Sequence, residues 1–597
     1  MRSFIRKNPY VALLSTCWQY ATGERRKFLK VYGLFVGSNL AHAVEPILWG
    51  WFINELQRNG LQALSATWKY AGIYMLLHLV NWALHGNARV LERQLAFNIS
   101  RNYLQKLYHQ AVHLPVDWHQ DHHSGSIISR VRKAYDAIKE FYQNSFRYIN
   151  ILMQFVVSLL AMIYFSPIFG GLAIVLGVLA VWVILKFDKP FIRYHNETNE
   201  REHKVYANLF DSLSNIVTVI TLRLENRMEK GLLAKIQHVY PTFIKKVVIN
   251  EWKWFVVDTI VAIIYASAII GFVYQNYVPG EVFLIGGLVT LVGFVQRFTS
   301  VFHDVAWQYT QIVTYNTDVQ TAKVISTSYG EQHLSDTDAI LPKGWAQIEI
   351  DELNFTHKRA ATNDDTVHGL RQIALDIRRG KKIALIGESG SGKSTLLAIL
   401  RGLYQTEPGV GLRLDGQKVE QSGIIGNSVT LFPQEPEIFE NSIAYNVTLG
   451  LPTTEAEVEE ACRLAHFDKV VRQLPHGLFT DIKEKGVNLS GGQKQRLALA
   501  RGVLAARESG IVLMDEPTSS VDPKTEAQIY HALFTHFADK AIVSSLHRLH
   551  LLPAFDHIYL MENGRIVAEG DFEQLRKEST AFQEMWKHQE ELAREGA

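Results

Sequence analysis

The stretch Ile383-Ala384-Leu385-Ile386-Gly387-Glu388-Ser389-Gly390-Ser391-Gly392-Lys393-Ser394-Thr395 decides how the second half of this 597-residue chain folds. An apolar run precedes a glycine-rich segment of the form G-x-x-x-x-G-K-[ST], and the apolar residues 396–400 follow it. This order predicts a strand, a phosphate-binding loop and a helix. Glycines let backbone N–H groups curve around phosphate oxygens, and the helix start adds positive potential. The segment is therefore predicted to bind a nucleotide.

Two side chains of this loop have expected roles. Lys393 is expected to reach the β- and γ-phosphates, and the Ser394 hydroxyl to bind Mg²⁺. Taken alone, the motif predicts ATP or another nucleotide without saying which kind of protein uses it, and a glycine-rich turn without nucleotide is the alternative. The residues expected to hold the nucleotide are Gly387, Glu388, Ser389, Gly390, Ser391, Gly392, Lys393, Ser394 and Thr395.

Composition divides the chain into two unlike halves. Long apolar stretches typical of membrane segments extend from about residue 28 to residue 301, and a soluble α/β pattern begins near residue 344. We predict a multidomain membrane protein with an all-α transmembrane domain and a C-terminal α/β P-loop NTPase domain. The predicted boundaries are 1–325 for the transmembrane domain, 326–343 for a linker, 344–585 for the nucleotide-binding domain and 586–597 for a tail.

Charge and cysteine content exclude several other classes of protein. The net charge of +2 gives no sign of a nucleic-acid partner. Cys17 and Cys462 are the only cysteines and neither has metal-ligand spacing, so we expect no disulfide and no zinc site. The first nine residues lack an apolar signal core and a small-residue cleavage site, so no cleaved targeting peptide is expected.

The apolar stretches predict six membrane spans, each of about 20 residues, the length that the hydrocarbon core requires. The two from Ile149 to Phe165 and from Ile168 to Leu185 contain no charged residue. A pair of buried helices in a soluble core would rarely be so long and so free of charge. The predicted spans are 28–53, 69–88, 146–166, 168–187, 254–274 and 281–302.

The connections between the spans predict their orientation. Lys and Arg are frequent before the first span and in 89–147, whereas 166–167 and 275–280 contain none. Positive charge favours the cytoplasmic side, so both termini and the soluble domain are expected in the cytoplasm, with the chain in the inner (plasma) membrane. The long connections 89–145 and 188–253 keep helical periodicity and should project into the cytoplasm. Pro115 should end the first projection, which places its expected tip near 116–125. The tip of the second projection is expected near 214–219.

Three further segments predict ATP hydrolysis. The apolar run 511–514 ends in Asp515, expected to hold Mg²⁺, and Glu516, expected to polarise the attacking water. Gln434 follows another short apolar run and could contact both Mg²⁺ and the water. His547 ends the run 541–546 and would bring a polar side chain to the γ-phosphate. Taken singly, Gln434 and His547 could equally be structural residues.

The segment Leu489-Ser490-Gly491-Gly492-Gln493 resembles the signature sequence of ABC transporters. With six predicted spans and one nucleotide-binding domain, the chain is similar to bacterial half-size ABC exporters over about residues 25–580. The resemblance implies a homodimer in which Ser490, Gly491, Gly492 and Gln493 of one subunit contact the ATP held by the other. A helix N-terminus with two glycines is suited to an anion. It also implies that 519–522 is the D-loop, and that Glu484 lies in the loop sensing the membrane helices.

The resemblance places the residue that stacks on adenine near 353–357. Here His357 stands where the family commonly has tyrosine, and an imidazole ring can still stack. Phe355 is the next candidate if His357 does not have this role.

The transported substrate is much less constrained by the sequence. The predicted spans contain ionisable and tryptophan residues, which usually face a cavity or one another. Segments 45–50 and 114–120 are similar to parts of bacterial cyclic β-glucan exporters, and lipids, lipid-linked sugars and drugs are further candidates. A processing peptide exporter is expected less, because no protease domain precedes the first span. A membrane-anchored ATPase that acts as a sensor is the alternative from a different class. The polar and aromatic residues are His42, Glu45, Trp49, Trp51, His78, Trp82, His85, Asp258 and Arg297.

Overall fold

A computed structural model describes residues 8–60, 64–122, 124–165, 167–332, 340–356, 369–404, 410–419, 423–483 and 489–595. The chain divides into two compact units. The first comprises Met1–His113 and His123–Glu331, and the second comprises Leu114–His122 and Gln332–Ala597. The first unit is helical and the second is α/β, so the predicted fold class is confirmed. The exact domain boundaries stay a prediction.

Ten helices make up the described part of the first unit. The helices are α1 (Pro9–Tyr20), α2 (Arg25–Ala43), α3 (Glu45–Asn59), α4 (Leu64–Val112), α6 (Ser124–Gln143), α7 (Ser145–Phe165), α8 (Pro167–Ser214), α9 (Ile216–Thr221), α10 (Glu225–Asn276) and α11 (Ile285–Gln332), while α5 (Val116–Asp121) belongs to the second unit.

Four of these helices are long and apolar enough to cross a membrane, namely Ser145–Phe165, Gly170–Ser214, Glu225–Asn276 and Ile285–Glu331. They contain most of the last four predicted spans. The predicted span 69–88 lies within α4. The predicted span 28–53 is not one continuous helix, because the chain breaks at Val44 between α2 and α3. Pro46 in the first turn of α3 has no N–H to continue the preceding helix, which explains a restart at this point.

Helix α3 packs very closely against α11. The Thr290 hydroxyl donates to the Pro46 carbonyl at 3.2 Å, and the Gly286 N–H donates to Asn54 Oδ1 at 2.8 Å. A Cβ atom on Gly50 would lie 1.9 Å from Thr290 Oγ1, so only glycine fits at this contact. Small residues that allow two backbones to approach are a common means of joining helices in a membrane.

The chain breaks at the first predicted tip, whose cytoplasmic placement stays a prediction. Helix α4 ends at Val112, and Pro115 precedes the short helix α5. Helix α5 clusters with the α/β unit, in which Gln120 Nε2 donates to Tyr404 Oη at 3.3 Å. At the second predicted tip the chain breaks at Asn215 between α8 and α9. That this second tip contacts the soluble domain stays a prediction.

The described part of the second unit contains three sheets. The largest sheet has six strands in the order β12-β11-β3-β10-β9-β6, and all neighbours in it are parallel except β12 and β11. A second sheet has four antiparallel strands in the order β2-β1-β4-β5, and β7 pairs with β8 in the third. The strands are β1 (Gln347–Thr356), β2 (Gly369–Arg378), β3 (Lys382–Ile386), β4 (Gly411–Leu414), β5 (Gln417–Lys418), β6 (Val429–Phe432), β7 (Asn441–Ser442), β8 (Asp481–Ile482), β9 (Ile511–Asp515), β10 (Ala541–Ser545), β11 (His557–Glu562) and β12 (Arg565–Gly570).

Helices cover the six-stranded sheet and bury its central strands almost completely. Continuous apolar runs are typical of parallel strands covered on both faces. The helices are α12 (Lys393–Leu400), α13 (Gly423–Gly426), α14 (Ile443–Thr448), α15 (Glu455–Leu464), α16 (Asp468–Gln473), α17 (Gly491–Ala505), α18 (Pro523–His536), α19 (Phe572–Glu578) and α20 (Thr580–Glu595).

The register of the central strands brings their carboxyl ends to one edge. Ser545 at the end of β10 pairs with Asp515 at the end of β9 and with Leu385 of β3. The residues that follow these strands therefore lie side by side. In parallel α/β sheets, ligands bind beyond the carboxyl ends of the strands.

Candidate active site

The glycine-rich loop joins β3 to α12 through backbone conformations that favour glycine. Gly387, Gly390 and Gly392 have φ angles of +144°, +85° and +103°. A Cβ atom on Gly387 would lie 2.1 Å from the carbonyl oxygen of Met561, so a side chain does not fit there. These conformations and this close approach hold the loop around the start of α12.

Lys393 opens α12, and its side chain turns back over the loop. Its ammonium donates to the carbonyls of Gly387 at 2.8 Å and Glu388 at 3.0 Å, and the residue is buried. Burial lowers the pKa of Lys393, and the carboxylates of Glu516 and Asp515 oppose this shift. The Ser391 hydroxyl is also buried, with no hydrogen-bond partner among the residues that the structure describes. A buried cation beside a buried hydroxyl fits an anionic group such as a phosphate.

Asp515 accepts hydrogen bonds from two hydroxyl groups. Its Oδ1 lies 3.0 Å from Ser394 Oγ and 2.7 Å from Ser545 Oγ. The described residues include no cluster of three or more His, Cys, Asp or Glu side chains placed to hold a metal ion. Mg²⁺ is usually bound by one or two carboxylates together with substrate phosphates and water, and a serine hydroxyl beside an aspartate fits this mode.

Glu516 lies directly beyond β9 in a left-handed conformation, with φ +42°. Its backbone N–H donates to Ser545 Oγ at 3.0 Å, and its Oε2 accepts from Gln434 Nε2 at 3.0 Å. A cavity of about 160 Å³ is lined by both Glu516 and His547. Glu516, Gln434 and His547 therefore lie at the same edge of the sheet, although they are far apart in sequence.

The segment that resembles the ABC signature begins helix α17. Ser490 is its N-cap: the Ser490 hydroxyl accepts from the Gln493 N–H at 3.3 Å, and Gln493 Oε1 accepts from the Ser490 N–H at 2.9 Å. This reciprocal capping fixes the start of the helix. Ser490 and Gly491 are exposed, so the first turn of α17 is accessible to a ligand.

Not every predicted residue is placed at the site. His357 and Glu484 lie outside the described residues. Phe355, the second candidate for adenine stacking, is 6% exposed, and its ring packs on Tyr404 with centroids 5.3 Å apart. Its position in β1 directs the Phe355 side chain into the core, so its ring has little free surface for a base.

Several residues with contacts at the site were not predicted from the sequence. Ser545 bridges Asp515 and Glu516, and Gln495 and Arg548 hold the segment that follows Glu516. A signal for Ser545 was present, since a polar residue ends the apolar run 541–543 where a parallel strand would deliver it to the binding edge. No local pattern marks Gln495 or Arg548, whose partners are distant in sequence.

Two family models match the chain. A model described as ABC transporter matches residues 370–519, and one described as ABC transporter transmembrane region matches residues 31–302. The chain is a half-size ABC exporter. Its ATP hydrolysis is coupled to transport across a membrane that the chain crosses several times.

Relatives of the exporter cover most of its length. A mesentericin Y105 transport/processing ATP-binding protein of Leuconostoc mesenteroides is 26% identical over 90% of this chain and 72% of its own length. An ATP-dependent lipid A-core flippase of Pseudoalteromonas translucida is 27% identical over 79% of this chain and 80% of its own length. The solved structure of a bacterial Atm1-family ABC exporter with ATP bound matches with a TM-score of 0.82 at 20% identity, covering 95% of this chain and 98% of that chain. This last likeness shows the fold.

Lys393→Ala should weaken ATP binding, because it removes the buried cation at the loop. Loss of one charge-assisted contact corresponds to an affinity about tenfold to a hundredfold lower. ATP affinity of the purified exporter, measured by isothermal titration, tests this. Lys381→Ala is the matched control, because Lys381 forms an exposed ion pair with Asp556 and should leave affinity unchanged. Equal affinities in both variants would contradict the role of the loop.

Proposed function

We propose that this exporter works as a homodimer that moves an amphiphilic or glycan-type molecule out of the cytoplasm or the inner leaflet. The observation that carries this proposal is the complete set of phosphate-handling groups in a single chain. The buried ammonium, the paired carboxylates and the capped signature helix all occur together, so each of two identical subunits supplies both halves of an ATP site.

The chemistry follows from the positions of these groups. Glu516 orients the attacking water and takes its proton, and Gln434 Nε2 holds the Glu516 carboxylate in place. Lys393 and the loop amides bind the phosphates, and His547, which lines a cavity with Glu516, contacts the γ-phosphate. Ser394, Gln434 and Asp515 would hold Mg²⁺, which when bound neutralises the charge that develops on the phosphate oxygens.

The proposed homodimer rests on the signature helix. Ser490–Gln493 caps the ATP of the opposite subunit in this arrangement, so one chain alone has no complete site. A heterodimer with a different chain is the rival, and partners in such pairs often carry one damaged site. This chain carries no substituted phosphate-handling residue. The charge bias of the loops supports cytoplasmic termini and a cytoplasmic nucleotide-binding domain in the inner membrane.

A polar cluster in the membrane unit supports a partly polar substrate path. Glu45 Oε2 accepts from Arg297 Nη2 at 2.9 Å and lies 3.3 Å from His42 Nδ1. Arg297 Nη1 donates to the His42 carbonyl at 2.8 Å, at the break between α2 and α3. The Glu45 and Arg297 side chains are 27% and 16% exposed, so the pair is accessible at its edge. The names of the relatives, which refer to a mesentericin and to lipid A-core, support an amphiphilic substrate.

Glu516→Gln should abolish steady-state hydrolysis and preserve ATP binding, because an amide cannot accept the proton of the attacking water. A general base contributes about 10²–10⁴-fold to the rate. Phosphate release and ATP affinity of the purified protein measure the two effects separately. Glu508→Gln, at an exposed carboxylate, should leave both unchanged. Turnover near the wild-type rate in Glu516→Gln would remove Glu516 from the catalytic role.

Glu45→Gln should reduce substrate-stimulated hydrolysis more than basal hydrolysis, because the proposal places the Glu45 carboxylate on the substrate path. The substrate is first identified by native mass spectrometry of protein extracted with its lipids, and that molecule is then used for stimulation. The double variant Glu45→Gln/Arg297→Gln restores charge balance and serves as the control. Recovery in the double variant identifies Glu45 as a pairing group, and continued loss supports contact with the substrate.

A transport assay in liposomes, with the identified molecule as substrate, separates the alternative function. A membrane-anchored ATPase that acts as a sensor without transport would move no molecule across liposomes in response to ATP. The proposed exporter would accumulate the identified molecule on the opposite side. Hydrolysis without any such movement would contradict the exporter proposal.

A further inference from the structure

Gln495 is a buried amide on α17 whose three hydrogen bonds all leave its own helix. Its Nε2 donates to Ser519 Oγ at 2.8 Å and to the carbonyl of Gln434 at 3.5 Å, and its Oε1 accepts from the Ser520 N–H at 2.8 Å. The residue is only 6% exposed. A buried amide with its donor and acceptor both satisfied fixes the position of its partners, because an unpaired polar group in the interior is costly.

The helix that carries Gln495 lies against the same segment through its first turn. A Cβ atom on Gly492 would lie 2.8 Å from the Ser520 carbonyl oxygen, so the absence of a side chain allows the backbones to approach. Gly491 is also near Ser520, with 3.7 Å to the nearest atom from an added Cβ. The start of α17 and residues 519–520 of the same chain therefore form one packed unit.

Two hydrogen-bond partners of Gln495, namely Ser519 and Gln434, also form hydrogen bonds with Glu516, the proposed general base. The Ser519 N–H donates to the Glu516 carbonyl at 3.3 Å, and Gln434 Nε2 donates to Glu516 Oε2 at 3.0 Å. Gln495 contacts both Ser519 and Gln434, which closes a hydrogen-bonded ring of four residues that includes Glu516. Movement of α17 would displace two neighbours of Glu516 together.

The segment after Glu516 is also held on the side away from α17. Arg548 Nη1 donates to the Val521 carbonyl at 2.8 Å and pairs with buried Glu526 at 3.1 Å, and Arg548 Nη2 lies 3.4 Å from the Ser519 carbonyl. Arg548 directly follows His547 in the chain. Residues 519–521 are thus held between α17 on one side and the turn after β10 on the other.

We propose that Gln495 is a positioning residue that couples the two ATP sites of the dimer. This rests on the proposed function, in which Ser490 and Gly491 contact the ATP of the opposite subunit. One turn later on the same helix, Gln495 holds the neighbours of the chain's own Glu516. A shift of α17 caused by ATP in one site is therefore transmitted to the carboxylate of the other site.

Gln495→Met tests this coupling, because methionine has a similar length and cannot form the three hydrogen bonds. Loss of these buried bonds should lower kcat about tenfold and leave KM for ATP nearly unchanged. The Hill coefficient for ATP should fall towards unity, because the two sites would then act independently. Hydrolysis rates of the full-length dimer in detergent, measured over a range of ATP concentrations, give all three quantities.

Gln495→Glu supplies a second readout that a purely structural role would not change. Burial disfavours the charged form of the introduced carboxyl, so its pKa is raised. In its protonated form this carboxyl has one donor and one acceptor, as the amide has. The kcat of Gln495→Glu relative to wild type should therefore rise as the pH falls, whereas the same ratio for Gln495→Met should stay flat.

Two further variants complete the test, one as a control and one as a second disruption of the same hydrogen bonds. Leu499→Met changes a buried residue of α17 that belongs to the apolar core and should leave the Hill coefficient unchanged. Ser519→Ala removes one acceptor of Gln495 and should reproduce part of its effect, which keeps the test decisive if Gln495→Met does not fold. Melting temperatures show whether a variant is merely less stable.

The outcomes distinguish this inference from the proposed function. Wild-type cooperativity that persists in Gln495→Met and Ser519→Ala, or a wild-type dimer without cooperativity, would overturn the coupling role alone. An active monomer would instead overturn the proposed dimer.

Discussion

The parallel pairing of β3, β10 and β9 is the constraint on which the nucleotide site depends. Its register aligns Leu385, Ser545 and Asp515, so the loop after β3 and the carboxylates after β9 meet at one edge. The Ser545 hydroxyl then contacts both Asp515 and the backbone of Glu516. A shift of one residue in this register would turn alternate side chains to the opposite face and separate these groups.

Much of the nucleotide site could be predicted, because most of the residues expected to bind ATP lie in a few short continuous segments. The loop 387–395, the pair Asp515–Glu516 and the start of α17 each need only local backbone geometry. Gln495 could not be predicted, because its three partners lie on segments that approach it only in the folded domain. The burial of Phe355 could not be predicted for a related reason, because Tyr404, on which its ring packs, lies 49 positions further along the chain.

In the membrane unit, the sequence located ionisable residues but not their partners. Besides Glu45 and Arg297, Lys253 and Asp188 form a buried pair at 3.0 Å between α10 and α8. These residues lie just outside the predicted spans 254–274 and 168–187 and are 65 positions apart. Burying one such charge alone is very unfavourable, so each pair joins two helices and resists their separation. The break at Val44 has a signal in the sequence, because Pro46 has no N–H with which to continue the preceding helix.

The central claim is that each ATP site is shared between two subunits, and mixed dimers test it most directly. Both subunits carry Glu516→Gln so that bound ATP is retained. Lys393→Ala is placed in one subunit and Gly491→Asp, which meets no atom closer than 3.7 Å from the new Cβ, in the other. Tightly bound ATP per dimer is then counted by mass spectrometry. The account predicts a single ATP in this mixed dimer, and none when both substitutions are in the same subunit. The opposite pattern would show that each subunit completes its own site and would contradict the account.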